Sequence, residues 1–369
     1  MCGNTGASGK PLLKDEGMQR VFDGHNDVLL RLWENARSGG DPVREFMDGA
    51  PGGHIDLPRA RKGGLAGGIC AIYIPSGTHI ELGEADAQGR YRTPLSAPLE
   101  RLPSLSIAME IAAIALRLEQ AGAWKLCRNG TELDAALNGD TFAAVLHMEG
   151  CEAIDADLAA LEVFYAIGLR SLGPVWSRNN IFGHGVPFAF PSSPDTGPGL
   201  TDAGKRLVKA CNAKGILIDL AHITEKGFWD VAELSDQPLV ASHSNAHALT
   251  PVARNLTDRQ MDAIRERKGL VGLNFATTML RADGRQDADT PLSDMVRHVD
   301  YMVERMGFDC VGLGSDYDGA TIPAGIGDAA GTQNLVAALG KAGYGEAELE
   351  KLCRDNWCRV LKQAWHEAA

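Results

Sequence analysis

None of the eight cysteines (Cys2, Cys70, Cys127, Cys151, Cys211, Cys310, Cys353 and Cys358) stands in a C-x-x-C pair. The chain therefore lacks the close thiol spacing of a redox motif or a zinc ribbon. Several of these residues lie inside apolar runs, and all are expected to be reduced and to pack as small hydrophobes. Positive charge is scarce too. Lys and Arg total 36 against 48 Asp and Glu, a formal net charge of −12, and there is no basic run. Such a chain repels phosphate backbones and anionic lipid, which sets aside nucleic acid and membrane partners. The longest apolar stretch, Leu65 to Pro75, contains two glycines and is too short to cross a bilayer. The N-terminus has no charged-then-apolar pattern, so no signal peptide is expected. Residues 1–20 read as a flexible tail, and a cytoplasmic protein is expected. No G-x-S-x-G elbow, H-E-x-x-H pair, Walker A loop or kinase set occurs. There is no internal repeat of 20–50 residues.

What remains is an ordinary globular composition, 44% hydrophobic and 23% charged. The 369 residues are enough for two average domains or for one α/β barrel. Eight short apolar runs recur along the chain: Arg20–Phe22, Ile69–Ile74, Phe142–Leu146, Ser171–Val175, Ile216–Leu220, Leu239–Ser242, Leu270–Phe275 and Cys310–Gly314. Helical patterns lie among them at 104–120, 155–167, 201–213, 224–234, 257–267 and 293–306, with a closing pair at 331–341 and 346–365. Continuous apolar strands alternating with amphipathic helices indicate a parallel sheet buried on both faces. Eight such units fit a (β/α)8 TIM barrel spanning 21–369 as one catalytic domain. The rival is an open doubly wound sheet, but no Gly-rich phosphate turn follows the first strand. A Pro/Gly-rich and aromatic insertion at 183–199 is expected to be an ordered covering loop.

The informative residues follow the strands. The first run leads into Asp23-Gly24-His25-Asn26-Asp27 and the third into His147-Met148-Glu149. The fifth ends in Asp219-Leu220-Ala221-His222, the sixth in Ser242-His243, the seventh in Asn274 and the eighth in Ser315-Asp316-Tyr317-Asp318. The carboxyl ends of barrel strands open on one face, so these side chains converge. His25, Asp27, Glu149, His222 and His243 make a metal-ligand set of imidazoles and carboxylates that suits zinc. Five ligands exceed what one open catalytic ion needs, and they suit two ions with Glu149 as the bridge. Two ions roughly 3.5–4 Å apart hold a bridging hydroxide as nucleophile and polarise a carbonyl. No lysine ends the third or fourth run to supply a carbamate bridge. Asp316 is left over and is expected to act as general acid/base, with Asp318 the weaker candidate. Arg254, after His243, has the chemistry to clamp a carboxylate, although its position alone fits a solvated residue equally well. The second H-x-D, His54 and Asp56, sits in a Gly/Pro-flanked loop before the second run and is not expected to ligate. His79, His298 and His366 read as surface or helix residues. His147 is expected to face away from Glu149.

In combination, FDGHNDVLL, AVLHMEG, LIDLAHIT, VASHSNAHAL…RN and VGLGSDYDG resemble the renal (membrane) dipeptidase family, peptidase family M19, zinc enzymes of the amidohydrolase superfamily. The resemblance runs from about Val21 to Trp365. It implies one zinc on His25, Asp27 and Glu149, and a second on Glu149, His222 and His243. It implies that Asp316 is the general acid/base and that Arg254 binds the substrate carboxylate. Family members cleave dipeptides, often with a D-residue at the C-terminal position, and some open β-lactam rings. One departure stands out. The family commonly carries a histidine after strand four that contacts the scissile carbonyl, and Trp176 occupies that place here. Either the Trp176 indole or His184, eight residues on, is expected to serve instead, with Asn274 also on the substrate side.

The expected protein is thus a two-zinc dipeptidase acting on small dipeptides with a free C-terminal carboxylate. A homodimer is common for this size and class. The rival enzyme is another binuclear amidohydrolase, acting on N-acyl amino acids, lactones or cyclic amides. A non-catalytic ligand-binding barrel would have no reason to keep Asp316 beside a complete ligand set.

Overall fold

The computed structural model describes residues 18–76, 83 and 85–366. Most of the expected N-terminal tail, with Cys2 and His79, lies outside the described residues. Residues 18–20 are held, however: Gln19 exchanges hydrogen bonds with the Gln333 side chain.

Eight parallel strands carry the fold. They are β1 (Val21–Asn26), β2 (Leu65–Tyr73), β3 (Phe142–Glu149), β4 (Leu169–Gly173), β5 (Leu217–Ile218), β6 (Val240–Ala241), β7 (Leu270–Leu273) and β8 (Val311–Leu313). Parallel ladders join β1 to β5 in chain order, and β6 to β8 likewise. Two parallel bridges, Asp219 to Val240 and Asn26 to Tyr317, close the seams between these sheets. Strand order equal to chain order, with both seams closed, is a TIM-barrel-like ring and excludes the open sheet. Each expected strand is present, with ends shifted by up to four residues. β1 runs on through His25, because that residue is as buried as the apolar ones before it.

The core has two layers. Outward residues such as Cys70, Ile72, Leu146 and Leu172 meet the surrounding helices. Inward residues, among them Phe22, Ile69, Val145, Leu217, Val240 and Leu270, form a second cluster with Trp357, Val360 and Leu361 of the C-terminal helix. That helix closes the barrel floor. A Cβ on Gly24 or Gly312 would collide with the Trp357 indole, so these glycines leave the slot it fills. Its Nε1 donates to the Leu313 carbonyl at 2.8 Å. Burying the whole ring removes a large apolar area from water while the polar tip stays paired.

The expected helices appear within a few residues of their places. Thr201, Thr224 and Thr257 cap three of them through side-chain oxygens, and Gly215 ends one in the left-handed region. The expected helix over 346–365 is divided by a π-helical turn at Lys351–Asp355. Further elements were not expected. Helices Val28–Arg37, Pro42–Asp48 and Leu57–Gly63 lie between β1 and β2, and a strand Trp124–Leu126 pairs with β3. Asp56 of the second H-x-D is the cap of Leu57–Gly63, accepting from Arg59 N at 2.8 Å. The 183–199 insertion is ordered, pinned where Ala189–Phe190 pairs with Tyr91–Arg92. The seven described cysteines are free, and six are buried. No helix among the described residues is long and apolar enough to cross a membrane.

His298 is on a helix, as expected, but it is fully buried rather than on the surface. Its Nδ1 accepts from Ala246 N at 3.2 Å, and its Nε2 meets the Leu280 carbonyl at 3.0 Å. Burial pushes its pKa down to about 4. Because the folded value lies below the unfolded one of about 6.5, the stability this ring contributes is complete above pH 6.5 and is lost as pH falls through 4. In urea unfolding at pH 7 and pH 4, the wild type should lose about 3 kcal/mol more than His298→Gln. Equal losses would exclude His298 as an acid-labile point.

Candidate metal centre

Four strand ends deliver the five expected ligands to one place. His25 is inside β1, and Asp27, two residues on, begins the following helix, so both side chains reach the same side. Glu149 is the last residue of β3. His222 and His243 follow β5 and β6. The Glu149 Oε1 lies 3.1 Å from His222 Nε2 and 3.5 Å from the Nε2 atoms of both His25 and His243. Asp27 Oδ2 is 3.6 Å from His25 Nε2, and the His222 and His243 Nε2 atoms are 3.1 Å apart. All five residues are buried. Among the described residues, groupings close enough to share an ion include Glu149 with His222 and His243, and His25 with Asp27 and Asp316.

The residues fit a divalent metal. Both ring nitrogens of His25 and Oδ1 of Asp27 are buried without a hydrogen-bond partner, a costly state that coordination relieves. Burial, reinforced by the Arg254 and His25 charges, holds His222 and His243 well below the usual imidazole range. They are therefore neutral, the ligating form. Burial alone would lower His25, but Glu149 and Asp27 outweigh it and hold that ring at about 10. Burial, with Asp27 and Asp316 nearby, drives Glu149 well above the carboxylate range. A concentration of acids and bases displaced in opposite senses marks a functional site, and a bound cation reverses the carboxylate shift.

Outer residues aim the ligands. Ser177 Oγ bonds His222 Nδ1 at 2.8 Å. Asp219 receives the Ser242 hydroxyl, and that same hydroxyl lies 2.7 Å from His243 Nδ1. Asp219 also falls close enough to His25 and His243 to share an ion with them. Neither serine carries a readable motif, and Asp219 shows only as a strand-end carboxylate. His147 corrects an expectation. Residues two apart on a strand share a face, and His147 accordingly points inward with Glu149. It bonds Ser171 Oγ at 2.8 Å, and its ring lies 5.6 Å from that of His25.

Asp316 follows β8 with φ of +59°, and His222 has φ of +65°. Two residues held in the left-handed region at one site are strain that the surrounding structure supports. Burial and the Asp27 charge raise Asp316 above the ordinary carboxylate range, against His25, Asn274 and Arg254. Asp318 is committed elsewhere: it accepts from the His54 backbone and from Arg31 Nε, while its own N–H donates to His54 Nδ1. His54 therefore holds a loop rather than an ion. Asn274 Nδ2 donates to Asp316 at 2.9 Å and its Oδ1 accepts from Ala276 N. Arg254 is buried behind His243, donating to the His243 carbonyl at 3.2 Å, and its Nε has no partner. The Trp176 ring lies 5.6 Å from that of His222 and 5.1 Å from that of Tyr73. His184 instead bonds the Gly199 carbonyl through Nδ1 at 3.0 Å.

Gly319 shows how tight the centre is. A Cβ there would collide with Asp27 Oδ2 and Asp316 Oδ1. Gly319→Ala should therefore part the two carboxylates, cutting turnover about 10²-fold while the thermal midpoint moves little. Full activity in that variant would show that the two carboxylates need no such spacing.

The membrane dipeptidase (peptidase family M19) model matches residues 16–369. A metallo peptidase from Rhodobacter sphaeroides, liganded with a phosphinate mimic of the dipeptide L-Ala-D-Ala, superposes with a TM-score of 0.90 at 49% identity, covering 94% of this chain and 100% of that one. A protein from the pqqA 5' region of Klebsiella pneumoniae is 50% identical over 247 residues, 67% of this chain and 91% of its own. Dipeptidase tcpJ of Claviceps purpurea is 27% identical over 96% of this chain and 79% of its own. The chain belongs to the membrane dipeptidase family, peptidase family M19, and is a metal-dependent dipeptidase.

Proposed function

We propose that the protein hydrolyses dipeptides bearing a free C-terminal carboxylate at a centre of two zinc ions bridged by Glu149. The observation that carries this reading is one buried carboxylate oxygen shared by three imidazole nitrogens within 3.5 Å. His25 and Asp27 would hold one ion, and His222 and His243 the other. Such a pair activates a water and polarises the scissile carbonyl. Asp316, within reach of His25 and Asp27, takes a proton from the attacking water and returns it to the departing amine. Asn274 keeps the Asp316 carboxylate turned toward the centre. The unpartnered Nε of a buried guanidinium makes Arg254 the group for the substrate carboxylate. The L-Ala-D-Ala mimic held by the Rhodobacter relative supports a D-residue at the C-terminal position.

Trp176 beside His222 favours a second reading, a binuclear amidohydrolase acting on N-acyl amino acids, lactones or cyclic amides. An indole N–H is a weaker oxyanion donor than a cationic imidazole. The test is hydrolysis, by zinc-loaded protein, of Xaa–D-Ala and Xaa–L-Ala dipeptides, each free and amidated at the C-terminus, beside lactones and N-acyl amino acids. Cleavage of the free forms alone supports the dipeptidase reading, and cleavage of lactones or N-acyl amino acids alone supports the second.

Asp316→Asn should lower kcat by about 10²–10⁴ and leave the zinc content intact. Loss of zinc from that variant would make Asp316 a ligand instead. Arg254→Met should raise KM for free dipeptides about 100-fold, since a charge-assisted bond is worth about 3 kcal/mol. An unchanged preference for free over amidated substrates would remove Arg254 from carboxylate recognition.

A further inference from the structure

Arg178 is fully buried after β4, at a position no motif marks. Its guanidinium, itself just past β4, spends three donors on the segments that follow two other strands, β2 and β3. Nε meets Glu152 Oε1 at 3.0 Å beyond β3, Nη1 meets Ser76 Oγ at 2.7 Å, and Nη2 meets the Ile74 carbonyl at 3.1 Å beyond β2. The same group lies 5.4 Å from the Trp176 ring and 6.0 Å from the Tyr73 ring, within cation–π range. The strand ends it ties are those beside Glu149, since Tyr73, Glu149 and Gly173 are register partners. Between Trp176 and Arg178 stands Ser177, whose hydroxyl holds His222 Nδ1.

We propose that Arg178 is a positioning residue for the metal centre. By locking the ends of β2, β3 and β4 together, it fixes Ser177 and Trp176 against His222 and so sets how firmly the His222-side ion is retained. A buried arginine paired with one glutamate is weak support for stability, because desolvation offsets the attraction. A planar fork that reaches three acceptors at once is, however, strong support for geometry. Lysine carries the same charge on one nitrogen and cannot span the three.

This inference rests on the two-ion reading, and one experiment separates the two. Zinc-loaded wild type, Ser76→Ala, Ser177→Ala, Arg178→Lys and the Ser177→Ala/Arg178→Lys double variant are challenged with excess chelator. Zinc release is followed alongside thermal melting and the kcat and KM for L-Ala-D-Ala. Ser177→Ala and Arg178→Lys should each release one of the two ions about tenfold faster than wild type. The double variant should release it no faster than the faster single, because Arg178 acts through Ser177. In Arg178→Lys, kcat should fall while KM stays within about twofold, a split that general loosening would not produce. Ser76→Ala removes one arm of the clamp and should give a smaller acceleration, about twofold to threefold, and it decides the matter if Arg178→Lys does not fold. Wild-type release rates in folded Arg178→Lys, or in Ser76→Ala should that variant stand alone, overturn the proposal, and so do additive effects in the double variant. A wild type that binds fewer than two zinc ions overturns the two-ion reading and this inference with it.

Discussion

Three imidazoles and a carboxylate buried around a single oxygen atom are tolerable only with a cation among them. Without one, the interior would have to keep the unpaired nitrogens of His25 and a carboxyl pushed toward neutrality. That constraint orders the rest of the molecule. The barrel brings four separate strand ends to within a few ångströms, and no single loop of this chain supplies them. Seryl and aspartyl partners sit behind His222 and His243, fixing which ring nitrogen faces inward. The left-handed backbone at His222 and Asp316 is the local conformational cost of aiming two side chains at one point.

Much of this was legible in the sequence for a simple reason. A strand buried on both faces must be apolar throughout, so a polar residue directly after it stands out. His25, Asp27, Glu149, His222, His243 and Asp316 all announce themselves in this way. The eight strands do too, although β5 and β6 are reduced to two residues each by ladder geometry. Elements too short to show a period did not, among them the helices Pro42–Asp48 and Leu57–Gly63 and the strand Trp124–Leu126, and the helix Val28–Arg37 was passed over although its apolar residues have helical spacing. Residues whose meaning is purely tertiary were equally silent. Arg178 reads as one more arginine until the loops carrying Glu152 and Ser76 are seen around it. His147 lies two residues before Glu149 and so shares its face, and the partnership of Asn274 with Asp316 appears only in space.

Trp176 joins the two sides of the argument. In the sequence it is a departure from the family pattern. In the fold it belongs to an aromatic wall with Tyr73 and Phe188, next to His222. That wall stands on β2 and β4, whereas Arg254, Asn274 and Asp316 stand on the loops after β6, β7 and β8. In a barrel whose strands follow chain order these are opposite sides of the centre, one apolar and one charged.

The Trp357 plug has a consequence for how the chain reaches this state. The inward cluster beneath the metal centre is assembled from β1, near residue 22, and from a helix beginning at residue 356. No contiguous portion of the chain that stops short of that helix can keep the floor dry, whatever strands it contains. During synthesis the first strand must wait for more than three hundred later residues before its inner face is covered. The floor of the barrel therefore joins the two ends of the chain, and the histidines above it rest on a base that neither end supplies alone.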